Sequence, residues 1–187
     1  MALSEIFYDY LESPEKAQEA ILARPPMALA FLGFLTAAVS LSFWDSLKTG
    51  GLAFFIARTG SIFLWNLFAA FLWAALIHLY VSMKSPEALP PKTAKAIIVY
   101  FGLADFSWAL AIVAAFIFLI PNAFHYLSFP ALAAAGFLNL ALKARGVKSV
   151  YRFSGPKAWL LILTPYAAFL IFGICFLILS LSGFFLH

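Results

Sequence analysis

Residues 61–83 read SIFLWNLFAAFLWAALIHLYVSM, a run of 23 without one Asp, Glu, Lys or Arg. A helix rises 1.5 Å per residue, so this stretch reaches about 34 Å, enough to cross the roughly 30 Å hydrocarbon core of a bilayer. Backbone amides find no water at that depth, and a helix satisfies them within the segment. The period-two alternation of a membrane barrel strand is absent.

Four further apolar stretches lie around it, at 27–44, 96–120, 123–142 and 158–186. Their lengths are 18, 25, 20 and 29 residues, against about 20 for a helical span. Across the chain 65% of residues are apolar and 11% charged, where a soluble domain has roughly 45–50% and 25%. A fold of 187 residues cannot hide that much apolar surface from water. The expected fold is an all-α polytopic membrane bundle of five transmembrane helices. Pro121-Asn122 is the one break between the third and fourth spans and predicts a tight helical hairpin. The short run GLAFFIA at 51–57 either lies in the interface or lengthens the second span. Pro165 places a kink near the start of the fifth.

The basic residues sort by side. Lys16 and Arg24, then Lys84, Lys92 and Lys95, then Lys143, Arg145, Lys148, Arg152 and Lys157 occupy alternate connections, ten in all. The opposite side holds Lys48 and Arg58. Ten against two predicts a cytoplasmic N-terminus, an odd number of spans and a C-terminus on the far side. The prokaryotic cytoplasmic membrane is the expected location. This placement accounts for the net charge of +4, so the bilayer is the expected partner and nucleic acid is not.

Residues 1–25 form a separate element before the membrane domain at 26–187. Leu3, Ile6, Phe7, Tyr10 and Leu11 fall on one helical stripe. Ser13-Pro14-Glu15 then starts a second short helix, with a capping hydroxyl, a proline at the first position and an acid at the positive end. The acids of this segment, Glu5, Asp9, Glu12, Glu15 and Glu19, set against Lys16 and Arg24, do not read as a cleavable signal. They favour docking on the protein's own basic loops over anionic lipid.

Asp105 is the one acidic residue within a span. It lies nine residues in, about 13 Å deep. A lone carboxylate there costs on the order of 3 kcal/mol. His78, Asn139 and Thr164 come from other spans at comparable depth, and the four make a candidate intramembrane polar site. That site is either proton-responsive, with His78 as the partner of Asp105, or a hydrogen-bonded cluster that sets helix register. Lys143, Arg145, Lys148, Arg152 and Lys157 are the candidate contact for anionic head groups, and topology anchoring is the plainer reading. Small residues at 109–115 (ALAIVAA) and 131–136 (ALAAAG) predict close helix packing, within the monomer or against a second copy or another membrane protein.

His125 and His187 are remote from each other, no His-Glu-x-x-His spacing occurs, and no metal site is expected. The single cysteine, Cys175, reads as a small buried apolar side chain, and no disulfide is available. Phosphate-loop and nucleophile-elbow motifs are missing. Neither a cofactor nor a catalytic set is expected, and the chain reads as a non-enzyme.

The order of joints resembles the Yip family of Ypt/Rab-interacting membrane proteins, in its compact prokaryotic form. The residues that carry it are Ser13-Pro14-Glu15-Lys16-Ala17, Ile21 and Arg24-Pro25 before the first span. Leu140-Ala141-Leu142-Lys143, Val147, Lys157-Ala158 and the Thr164-Pro165 break follow. The resemblance covers nearly the whole chain and implies five spans, a cytoplasmic N-terminus and action through protein or lipid contacts. Eukaryotic members bind Rab-type GTPases through a longer N-terminal region with an Asp-Leu-Tyr-Gly-Pro-like motif, which these residues lack. Tyr100-Phe101-Gly102 and Asp105 stand where the family often has Gly-Tyr and then Pro. Rab binding is therefore not carried over. The alternative expectation is a small transporter or channel subunit built on Asp105.

Overall fold

The computed structural model describes residues 3–12, 14–49, 51–84, 93–120 and 126–185. Every element among them is helical. Two short helices, α1 (Leu3–Glu12) and α2 (Pro14–Ala23), precede α3 (Met27–Thr49) and α4 (Leu52–Lys84). Then come α5 (Thr93–Asp105), a 3₁₀ turn (Phe106–Ala109), α6 (Leu110–Phe118), α7 (Ser128–Tyr151) and α8 (Gly155–Phe185).

Four of these segments are long and apolar enough to cross a membrane: Met27–Leu47, Leu52–Lys84, Thr93–Leu119 and Gly155–Ile178. The expected second span therefore absorbs the run at 51–57, because nothing after Gly51 breaks the helix. The third is one path in three pieces, with the turn set directly after Asp105. The largest departure is α7. It was expected to end at Leu142 but continues to Tyr151, since no proline interrupts the basic stretch. Most of the expected loop is thus helix. The hairpin at 121–123, Lys92, His125 and His187 lie outside the described residues.

α3 is the hub, packed on α4, α5 and α6, while α7 packs on α5, α6 and α8. The α3–α5 crossing is close because two glycines meet there. A Cβ added to Gly33 would overlap the Gly102 carbonyl, and one added to Gly102 would overlap the Ala30 backbone. Small residues let helices approach this way where lipid supplies no hydrophobic drive. Ala111, Ala114, Ala115 and Ala135, from the two small-residue runs, are buried within the monomer, where α6 packs on α3 and α7. A second, smaller cluster gathers on Trp44, edge-on to Phe118 at 5.2 Å.

α1 and α2 form a hairpin against the basic end of the bundle. Ile6, Tyr10, Ala17 and Ile21 are buried, while Leu11 is exposed. Phe7 meets Phe106 edge-on at 5.0 Å. The Gln18 amide donates to the Ser149 carbonyl of α7 at 2.9 Å.

The outer faces are apolar. On α4 the buried residues Ala70, Ala74, Ile77 and Val81 make one narrow seam, spaced as a coiled-coil stripe. Trp65, Phe68, Leu72 and Leu79 are exposed. Beyond Pro165, α8 is exposed at every described position through Ile178. Cys175 lies there and is exposed, contrary to the buried site expected of it. The described side chains around it are exposed as well, so apolar sequence did not translate into a core position.

Candidate functional site

Asp105 ends α5 and is 2% exposed. Two residues of α7, one helical turn apart and therefore on one face, converge on its Oδ1. The Asn139 amide donates at 2.9 Å, and the Lys143 ammonium stands at 2.8 Å. Lys143 also lies 5.8 Å from the centroid of the Phe101 ring, a cation–π distance. Just beyond, Ser107 of the 3₁₀ turn donates to the Ala135 carbonyl of α7 at 3.4 Å. The turn and α7 are thus held together beside the charge pair.

The structure redistributes the residues named from sequence. Asp105 and Asn139 come together. His78 does not join them: its Nδ1 lies 3.3 Å from the Tyr151 hydroxyl. Tyr151 is eight residues beyond Lys143 on α7, about 12 Å further along the axis, which corrects the expected Asp105–His78 partnership. Thr164 also stays apart, its hydroxyl donating to the Leu160 carbonyl of its own helix at 2.7 Å. Lys143, expected among the head-group contacts, is instead the partner of the buried acid. Arg145, Lys148 and Arg152 remain exposed on the basic end. Lys157 sits 3.9 Å from the Phe153 ring centroid. Sequence reasoning missed Lys143 because it ended the helix at Leu142, one residue before it. The 139/143 spacing, one turn, was the available signal.

A cavity of about 460 Å³ opens beside the pair, within the size range of small-molecule sites. α4 is packed on α3 and α5, α8 on α7, and the cavity lies between α4 and α8. Trp65, Phe68 and Leu72 of α4 face Ile162, Pro165 and Tyr166 of α8, with Asp105 and Lys143 on its wall. Asn66 and Trp73 add an amide and an indole. The Trp73 indole N–H is buried without an acceptor among the described residues, a cost of about 1–3 kcal/mol unless something accepts it. Chemically the cavity suits a largely apolar body with a few polar atoms. Among the described residues no group of three or more His, Cys, Asp or Glu converges as metal ligands would.

The fold thus defines a class, an all-helical bundle with several helices of membrane-spanning length and a charged pair in its interior. Comparison with family models, with curated proteins and with solved structures gives no match.

Proposed function

We propose that the chain is a non-enzymatic, five-span integral membrane protein of the Yip type, which acts through contacts made inside the bilayer. The observation that carries the reading is the apolar cavity whose two charged groups neutralise each other. Such a site holds an apolar chain without offering ions a continuous polar path. The fifth span is the first part of α7 with the residues before it, 123–142, uncharged throughout. The sorting of basic residues, ten against two in the sequence, supports an N-terminus in the cytoplasm and a C-terminus across a prokaryotic cytoplasmic membrane. The partner is a lipid chain, a second copy or another membrane protein.

A photoreactive residue at Leu72 in native membranes tests this. Adducts to lipid or to a membrane segment, absent from the same probe at Leu52, are the expected result. No adduct at either position removes the cavity as a contact site.

A second reading, a small transporter or channel subunit, draws on the 3₁₀ turn directly after Asp105, since helices broken at membrane depth are used by transporters. Proton-coupled flux in proteoliposomes that Asp105→Asn abolishes would establish it in place of the first.

A further inference from the structure

The crevice between α2 and α7 at the basic end is lined by Gln18, Glu19 and Leu22 on one side and by Arg145, Lys148 and Arg152 on the other. We propose that it is a phosphate site, which takes the phosphate of an anionic lipid head group at the membrane surface. The inference is independent of what enters the cavity beside Asp105.

Five basic residues between 143 and 157 were candidates by sequence, and the fold selects three. Lys143 is turned inward to Asp105 at 2.8 Å, and Lys157 lies over Phe153. Arg145 and Lys148, at i and i+3, share one helical face, and Arg152, just past the helix end, lines the same crevice. None of them is ion-paired among the described residues; the ion pairs there are Arg58–Asp45 and Lys143–Asp105. Three cations against the single carboxylate of Glu19 leave two positive charges in excess. That is the charge of a phosphomonoester dianion near neutral pH. Guanidinium groups also match the geometry of phosphate oxygens better than ammonium groups do.

The walls are fixed beforehand. Ala17 and Ile21 bury α2 against the bundle, and the Gln18 amide is tied to the Ser149 carbonyl across the crevice. The third cation is held in an unusual way. Arg152 closes α7 in the left-handed region, at φ 53 and ψ 36, where glycine or asparagine is the ordinary choice. Strain of this kind collects at ligand clamps.

The test uses the full chain in phosphatidylcholine vesicles and reads the unfolding midpoint, with phosphatidic acid or inorganic phosphate as the added probe. Ligand that binds the folded form raises the midpoint. With each basic residue near the surface contributing about fivefold, the double variant Arg145→Gln/Lys148→Gln should weaken phosphatidic acid binding about twenty-five-fold. The control Lys84→Gln/Lys95→Gln removes the same charge at the same end and should leave it unchanged. Glu19→Gln should tighten binding. Arg152→Gly should raise the midpoint without ligand and still weaken phosphatidic acid binding about fivefold.

Inorganic phosphate that protects alone, with the same sensitivity to the crevice variants, supports the site and makes soluble phosphate its source. Equal loss in the crevice and control doubles overturns the site, leaving only diffuse surface charge. So does an Arg152→Gly variant that binds as tightly as the parent chain.

Discussion

Two ion pairs in this protein have the same N···O distance and opposite surroundings. Arg58 and Asp45 meet at 2.8 Å across the α3–α4 joint, with side chains 47% and 33% exposed. Lys143 and Asp105 also meet at 2.8 Å, with side chains 19% and 3% exposed. Distance is equal, so burial separates them. Water screens the first pair and competes for both partners, which leaves about 0.2–1 kcal/mol. The second has little water, so each charge depends on the other and on Asn139. Their desolvation makes the pair a poor source of net stability, yet breaking it is expensive. The lesson is that the inner pair acts as a specificity device: it fixes α5 against α7 and gives the cavity a polar wall.

The comparison breaks most visibly at Lys143. Lys143→Ala leaves Asp105 buried and unpaired, and should cost about 3–5 kcal/mol, read as unfolding in detergent. The double variant Asp105→Leu/Lys143→Met should recover most of that loss, because well-packed apolar groups often replace a buried pair at no cost. A double as unstable as the single would mean that the pair itself supplies net stability. Asp105→Asn should fall between, since an amide still accepts from Lys143.

Gly102 lies one turn before Asp105, at the crossing that sets how near α5 comes to α3. Gly102→Ala should destabilise by about 1–3 kcal/mol through overpacking. It should also lengthen the Asp105–Lys143 distance, measurable in a structure of the variant.

At the exposed pair, Asp45→Ala should change stability by about 1 kcal/mol or less. Added salt should erase the difference, whereas salt should leave the Lys143→Ala effect unchanged.

The smallest effect concerns a buried hydroxyl, at which burial outweighs the opposing charge of Arg145. The Tyr10 hydroxyl is buried and unpartnered among the described residues, and burial pushes its pKa well above the ordinary value of 10.0. Above that pH the unfolded chain loses the proton while the folded one keeps it. The folded state then binds more protons, so stability falls as pH rises. Docking of α1, followed by hydrogen exchange, should loosen above pH 10, and Tyr10→Phe should remove that dependence.

Much of this arrangement was readable from residue order. The long uncharged runs announce helices of membrane length, because only an internally bonded backbone suits lipid. The stripe of Ile6, Phe7 and Tyr10 marked the face that α1 turns inward. Asp105 stood out as an expensive residue in need of a partner. What was misread was the charged partner. His78 looked suitable by type and depth, but depth counted along a sequence ignores how helices are rotated and where they end. The exposure of Cys175 was hidden for a similar reason, since an apolar face for lipid and one for a core have the same composition.

Sequence by itself determined the class of solvent this chain requires, the helical form of its long segments and the position of its one costly acid. These depend on the local balance of apolar side chains, backbone amides and charge. Tertiary structure alone decided that α7 runs on to present Lys143 beside Asp105, that Gly33 meets Gly102, and that Arg145, Lys148 and Arg152 share one crevice with α2. Those outcomes depend on the rotation and crossing of helices far apart in the chain, set by the summed packing of many contacts.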